Sequence, residues 1–173
     1  MIINVYSLNN AIREIKKGFH IKNWISVRDL GYEHLYIDID ENASNILKIT
    51  FDDITKYQVQ NDLIHPVYKD IVGTRDFLYF CEEHAEQIIN FSNNVFNNNE
   101  ELNIHCYAGR SRSQAIGHVL NNYYNLYKEK NENDYIINFK NSIRKFMPNH
   151  DVLNILSNQI FLKKSFWIAY FSL

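Results

Sequence analysis

Short apolar runs predict the strands of this chain. Ile2–Ser7, residues 23–28 and residues 46–51 are rich in β-branched and aromatic residues, and each ends at polar residues that favour turns. Residues 34–40 alternate apolar and polar side chains with the two-residue period of a half-buried strand. Leu102–Cys106 is a further apolar run and leads directly into a turn that contains glycine. We therefore expect about four to five strands.

Apolar residues at helical spacing predict the remaining elements. A short helix through Lys17, with Asn9 as its cap, follows the first strand, and residues 75–91 form a longer helix capped by Thr74. Helical spacing also covers three later segments, residues 113–130, 132–146 and 149–162. Pro148 separates the last two, because proline breaks a helix interior but is tolerated in a first turn.

Two polar segments interrupt this pattern. Residues 55–75 show no apolar period and contain the breakers Pro66 and Gly73. A stretch this long without regular structure is uncommon in a compact domain and is often a functional loop, so we expect one here. Residues 93–100 are rich in Asn and are predicted as a polar turn.

The order of these elements predicts an α/β fold. Strands early in the chain and helices late, with a strand–turn–helix at the centre, favour a mostly parallel sheet flanked by helices. The 173 residues suit a single domain that spans the whole chain. In such folds ligands bind at the carboxyl ends of the strands, which is where the turn after Cys106 would lie.

Composition narrows the functional classes. With 46% hydrophobic and 22% charged residues the chain is typical of a soluble globular protein, and its formal net charge of -2 gives no electrostatic reason to expect a nucleic-acid partner. The two cysteines, Cys81 and Cys106, imply no disulfide framework. No signal peptide is expected, because the N-terminal residues lack a basic stretch followed by a long apolar core. No membrane span is expected either, because the apolar residues 165–173 are too few to cross a bilayer. We expect a cytoplasmic monomer.

The turn after Cys106 carries the clearest chemistry. Its sequence is His105-Cys106-Tyr107-Ala108-Gly109-Arg110-Ser111-Arg112-Ser113. Backbone N–H groups of such a turn and of the helix that follows it favour an anion, and Gly109 permits a positive φ. Arg112 can bind two phosphate oxygens with its planar guanidinium. The same positive surroundings favour the thiolate form of Cys106, which is a nucleophile.

These residues resemble the signature His-Cys-x-x-Gly-x-x-Arg-Ser/Thr of the cysteine-dependent protein phosphatases. The order of predicted elements over residues 20–162 is similar to that of their small dual-specificity members, and Pro148-Asn149 resembles a pair that opens a late helix there. The resemblance implies a phosphocysteine intermediate on Cys106, without metal or cofactor. It implies phosphorylated proteins as substrates, carrying phosphotyrosine and also phosphoserine or phosphothreonine.

The resemblance also assigns roles within the loop. Arg112 and the amides of the loop would bind the phosphate, Ser113 would donate a hydrogen bond to the sulfur, and His105 would support the loop by bonding its backbone. The loop residues that would contact the substrate are Tyr107, Ala108, Gly109, Arg110, Ser111 and Arg112. The histidines show no metal-ligand spacing with the cysteines.

A general acid is expected from a loop aspartate. Asp52 and Asp53 both follow a predicted strand. The resemblance favours Asp53, because the family often has Asp followed by Ile there, although Asp53 precedes Cys106 by more residues than is usual in the family. Residues 55–75 would account for the excess as an insertion. Asp52, Asp70 and Asp76 are its rivals.

Several alternatives stay open on the sequence. Arg110 adds a cation inside the loop, a feature of phosphatases that act on highly charged substrates, so a phosphoinositide or an RNA 5′-phosphate is compatible with it. A phosphate-binding protein without turnover and a rhodanese-like sulfur transferase are the competing classes. Cys81 is expected to pack on a helix face, with a protective disulfide to Cys106 as the alternative.

Overall fold

The computed structural model describes residues 2–17, 22–64, 76–127, 136–139 and 148–171. The strands are β1 (Ile2–Ser7), β2 (Trp24–Arg28), β3 (Ile46–Thr50), β4 (Leu102–Cys106) and β5 (Ile136–Phe139). The helices are α1 (Leu8–Lys16), α2 (Ile37–Asn42), α3 (Lys56–Gln60), α4 (Glu82–Asn97), α5 (Arg112–Tyr127) and α6 (His150–Phe171). A 3-10 turn, Glu33–Tyr36, precedes α2.

The strands form one parallel sheet in the order β3-β2-β4-β1-β5. The chain leaves β2 toward one edge of the sheet and leaves β4 toward the other. Adjacent strands whose connections diverge in this way open a crevice at their carboxyl ends, where ligands bind in α/β folds. Cys106 ends β4 and Asp29 follows β2, so both lie at this crevice.

Each face of the sheet is covered by its own apolar cluster. On one face α1 and the segment 33–42 pack around Trp24 and Tyr36, both fully buried. On the other face α4, α5 and α6 cover the strands, with Ile104 of β4 and Ile116 of α5 in the interior. Side chains alternate between the two faces along each strand, so both layers bury apolar residues from the same strands. The predicted α/β class, with a parallel sheet flanked by helices, is confirmed.

The prediction of a strand over residues 34–40 is wrong. The segment is helical, and its fully buried residues are Tyr36 and Ile39, which are three apart as on a helix face. Ile37, which the alternating pattern would bury, is 51% exposed. Asp40 instead pairs with Arg28 of β2, and this hydrogen bond lowers the pKa of Asp40.

The helix predicted over residues 75–91 begins later and ends later than expected. Residues 76–81 are not helical, because the backbone of Leu78 exchanges hydrogen bonds with Asp52. The helix starts at Glu82 and continues to Asn97, so the turn predicted at 93–100 is wrong over most of its length. Cys81 is exposed just before α4 instead of packing on its face, and neither cysteine forms a disulfide.

Three further predictions need correction. Residues 136–139 form β5 beside β1 rather than part of a helix over 132–146, and 140–147 lie outside the described residues. The cap of α1 is Ser7, not Asn9, because the Ser7 side chain accepts a hydrogen bond from the Asn10 amide. The segment 55–75 begins with α3, capped by Thr55, and its residues 65–75 lie outside the described part of the chain.

Candidate active site

The Cys106 loop (residues 106–112) joins β4 to α5 at the carboxyl edge of the sheet. Gly109 has φ +68°, the left-handed conformation that glycine adopts without strain and one of the two roles that the sequence left open for it, the other being a close approach to a ligand. The Leu8 amide donates a hydrogen bond of 3.1 Å to the Tyr107 carbonyl, which ties the loop to the start of α1. Cys106 itself is buried at the base of the loop.

The Cys106 sulfur contacts two groups of its own loop and helix. The Gly109 amide donates to Sγ at 3.2 Å, and the Ser113 Oγ lies 3.1 Å from Sγ. Donors directed at a sulfur stabilise its anionic form, because hydrogen bonds to a charged acceptor are stronger than those to a neutral one. The loop therefore directs one backbone donor and one hydroxyl group at the sulfur.

Arg112 is only 3% exposed, and three residues hold its guanidinium. Nη1 donates to the carbonyls of Phe51 at 2.7 Å and Arg28 at 3.3 Å, and Nη2 donates to Asp29 Oδ2 at 3.1 Å. Asp29 Oδ1 lies 2.9 Å from Nη1. Burial alone lowers the pKa of Arg112, but attraction by Asp29, Asp53 and Cys106 outweighs it and raises that pKa, so the side chain is a fixed cation.

The Nε edge of Arg112 is left open. Nε is buried and has no hydrogen-bond partner among the described residues, although it forms an ion pair with Asp53 Oδ2 at 3.8 Å. A buried donor without a partner is unfavourable and rare in native proteins. An oxyanion placed above Cys106 would satisfy it, since guanidinium geometry matches two oxygens of a phosphate.

The structure separates the aspartates that the sequence left as rivals. Asp53 lies beside the loop, where its Oδ1 accepts from Ser111 Oγ at 2.6 Å and from Asn149 Nδ2 at 3.2 Å. Asp52 is buried, and its Oδ2 accepts from the Leu78 amide at 2.9 Å. Asp76 is exposed, and Asp70 lies outside the described residues.

A cleft of about 710 Å³ opens beside the loop. Its walls are three loop residues, the segment around α3 and the start of α6, and it is lined by Asp53, Thr55, Tyr57, Gln58, Ala108, Arg110, Ser111, Pro148, Asn149, His150, Asp151 and Asn154. Arg110 thus faces the cleft beside two carboxylates, those of Asp53 and Asp151. Tyr107 is 59% exposed and does not line it.

His105 does not bond the loop backbone, so its expected supporting role is corrected. Within the described residues neither ring nitrogen has a hydrogen-bond partner, and the ring lies between Trp24 and Tyr36 at centroid distances of 5.8 and 5.9 Å. Burial, with repulsion from Arg28 and Arg112, lowers the pKa of His105 to about 3. The ring is neutral at neutral pH and packs as part of the core.

Two site residues were not assigned a role from the sequence, Asp29 and Asn149. Asp29 is one of the polar residues that favour a turn after residues 23–28, and it follows a predicted strand in the same way as Asp52 and Asp53. Applying the carboxyl-end rule to every strand would have selected it. Asn149 was noted only for the resemblance of Pro148-Asn149, and its contact with Asp53 depends on the packing of α6.

Membrane spans, metal-binding groups and similar proteins give no further information about this site. Over the described residues, no helix is long and apolar enough to cross a membrane, and no three or more His, Cys, Asp or Glu side chains are grouped so that they could hold a metal ion. No protein-family model, curated protein or solved structure matches this chain.

Proposed function

We propose that this chain hydrolyses phosphomonoesters on proteins through a phosphocysteine intermediate. The observation that carries the proposal is the closure of the Cys106 loop around its sulfur. The Gly109 amide and the Ser113 hydroxyl reach Sγ, and the open Nε edge of Arg112 belongs to the same loop. A nucleophile, its stabilising donors and an anion-binding cation are thus held together in one short segment.

In the first step the Cys106 thiolate attacks phosphorus. The S–P bond forms as the bond from phosphorus to the leaving oxygen breaks, and Asp53 gives its proton to that oxygen. Arg112 and the loop amides bind the equatorial oxygens, whose charge is redistributed as the phosphoryl group is transferred. Asp53 lines the cleft, and its Oδ2 lies 3.8 Å from Arg112 Nε, which supports its assignment as the proton donor.

In the second step water attacks the phosphocysteine. Asp53, now a carboxylate, accepts a proton from that water, the S–P bond breaks and inorganic phosphate forms. The sulfur leaves as a thiolate, and the Ser113 hydroxyl at 3.1 Å supports it by donating a hydrogen bond. Every group in this cycle belongs to the protein, the substrate or water.

The described residues of the cleft support protein substrates over polyanionic ones. Among those lining residues Arg110 is the permanent cation, and the carboxylates of Asp53 and Asp151 line the same cleft. A substrate with several phosphates would meet these carboxylates, whereas a single phosphate on a tyrosine side chain would place its ring in the cleft. We therefore assign phosphotyrosine proteins as the principal partners, with phosphoserine and phosphothreonine as further substrates in a cytoplasmic, reducing setting.

Hydrolysis of an aryl phosphate by the full chain tests the proposal. We expect turnover that is unaffected by a chelator and abolished by Cys106→Ser, because serine is a far weaker nucleophile in this setting. Cys81→Ser is the matched control and should retain turnover, since Cys81 is exposed outside the loop. Trapping of a covalent phosphocysteine by rapid acid quench would identify the intermediate.

Other outcomes would redirect the assignment. Binding of a phosphopeptide without any turnover would indicate a phosphate-binding protein. Turnover of inositol lipids or RNA 5′-phosphates alone would contradict the protein substrate class. Sulfur transfer from thiosulfate to cyanide would indicate a rhodanese-like enzyme instead.

A further inference from the structure

The orientation of the Arg112 guanidinium decides which of its edges faces a phosphate. Nη1 is held by two backbone carbonyls, those of Arg28 and Phe51. Among the described residues Nη2 has one hydrogen bond, to Asp29 Oδ2 at 3.1 Å, and the guanidinium carbon lies 5.7 Å from the Phe51 ring centroid. Without Asp29 the guanidinium could therefore turn about its contacts at Nη1, and the Nε edge would lose its direction.

Asp29 is itself held in place by Tyr36. The Tyr36 hydroxyl donates to Asp29 Oδ2 at 3.4 Å and accepts from the Asp29 amide at 3.3 Å. Tyr36 is fully buried, and the Arg28 guanidinium lies 4.9 Å from its ring centroid. Burial and the nearby Asp29 carboxylate raise the pKa of Tyr36 to about 12, so its hydroxyl keeps its proton at neutral pH.

We infer that Asp29 is a positioning residue, supported by Tyr36, that turns the Nε edge of Arg112 toward the substrate phosphate. This inference rests on the proposed function, because it takes the open Nε edge as the phosphate-binding edge. Asp29 also follows β2 at the crevice beside β4, so the strands place its carboxylate within reach of the loop.

A simpler role for Asp29 would be to neutralise the buried charge of Arg112. The two roles make opposite predictions for anion binding. If Asp29 only neutralises charge, removing its carboxylate makes the loop more positive and strengthens attraction for an anion. If it orients the guanidinium, removing it weakens anion binding, although the local potential becomes more positive.

Alkylation of Cys106 separates these roles without requiring turnover. The rate with iodoacetate, an anion, is divided by the rate with neutral iodoacetamide, and the modified residue is identified by mass spectrometry in a Cys81→Ser background. The variants are Asp29→Asn and Tyr36→Phe. Their matched controls are Asp38→Asn, which removes a half-buried carboxylate paired with Lys16, and Tyr32→Phe, in the same apolar cluster as Tyr36.

We expect the rate ratio to fall about tenfold or more in Asp29→Asn, and kcat/KM for an aryl phosphate to fall roughly 10- to 100-fold, as a misplaced binding group causes. Tyr36→Phe should lower the ratio by about 2- to 10-fold, the effect of one lost hydrogen bond. The controls should leave the ratio unchanged. Tyr36→Phe keeps the Asp29 carboxylate, so it tests the inference even if Asp29→Asn fails to fold.

The outcomes distinguish the inference from its premise. A ratio in Asp29→Asn that is unchanged or higher overturns the positioning role while leaving the phosphate site intact. If the parent chain shows no preference for iodoacetate, the loop does not bind anions, and the proposed function fails together with the inference.

Discussion

Two neighbouring carboxylates, Asp52 and Asp53, have different surroundings at the end of β3. Both residues follow the last residue of β3, and Asp53 lies in a bend, so the two side chains have different partners. Asp52 points inward and accepts a hydrogen bond from the Leu78 amide, which anchors the segment before α4. Asp53 points toward the Cys106 loop, where it meets Ser111 and lines the cleft.

Asp53→Asn should therefore impair proton donation to the leaving group. We expect turnover of substrates with poor leaving groups to fall roughly 10²–10⁴-fold, and a much smaller loss with acidic aryl leaving groups, which need little protonation. Steady-state kinetics across a series of leaving-group pKa values measures this dependence. The variant should still bind phosphorylated partners.

Asp52→Asn is the matched control for Asp53→Asn. Its amide oxygen can still accept from the Leu78 amide, so its kinetics should show no selective loss on poor leaving groups. Equal losses on good and poor leaving groups in Asp53→Asn would contradict its role as general acid.

At the scale of elements, the start of α6 serves both the fold and the site. Asn149 precedes α6, and its Oδ1 accepts from the Val152 amide at 3.2 Å, which is the geometry of an N-cap. Its Nδ2 donates to Asp53 Oδ1 at 3.2 Å. One side chain thus begins the helix and orients the proposed general acid.

Substitutions at Asn149 should separate these two effects. Asn149→Ala removes the cap and should lower the free energy of unfolding by about 1 kcal/mol. Asn149→Asp keeps a capping oxygen and should retain most of that stability. Both variants lose the amide donor to Asp53, so both should turn over poor leaving groups roughly tenfold more slowly.

Urea unfolding and leaving-group kinetics on the same samples check this pair. Equal stability of Asn149→Ala and Asn149→Asp would contradict the cap. Full activity in both variants would show that Asp53 does not depend on Asn149.

At the scale of the whole molecule, His105 lies in the centre of the sheet, in the register that pairs it with Ser26 and Tyr6 of the adjacent strands. Burial lowers its pKa from the ordinary 6.5 to about 3, with Arg28 and Arg112 acting in the same direction and Asp40 opposing them. Between about pH 3 and pH 6.5, therefore, His105 is unprotonated in the folded protein and protonated in the unfolded chain. The resulting stability is fully present above pH 6.5 and is lost as the pH falls toward 3.

We expect His105 to contribute a loss of about 2 kcal/mol in the free energy of unfolding between pH 7.5 and pH 5.0. His105→Phe, with an apolar ring that needs no hydrogen bond, should lose less stability over that interval whatever its stability at pH 7.5. Denaturant unfolding at the two pH values measures the difference. His84, whose pKa is also lowered by burial, contributes in the same direction and remains in both proteins.

His118→Gln is the control, because His118 is exposed. It should leave the pH dependence unchanged. The same loss of stability in His105→Phe and in the parent chain would contradict the assignment of this dependence to His105.

The sequence by itself determined the α/β class, the strands β1 to β4 within a residue at each end, and the position of the Cys106 loop with a glycine at its turn. These features are local. Apolar runs, turn residues and a short motif act over a few neighbouring residues, and their signals do not depend on how the chain packs. The loop could be identified because Cys106, Gly109 and Arg112 are close in sequence.

Only the tertiary structure decided which residues complete the site. Asp29 and Arg112 are 83 residues apart, and Asn149 and Asp53 are 96 apart, so no local pattern connects them. The same reason explains the wrong elements. Residues 34–40 became helical because Tyr36 and Ile39 bury against the sheet, and residues 136–139 became a strand by pairing with β1. Burial and pairing across the sheet outweigh local preference, since each is worth more than the difference in propensity between helix and strand.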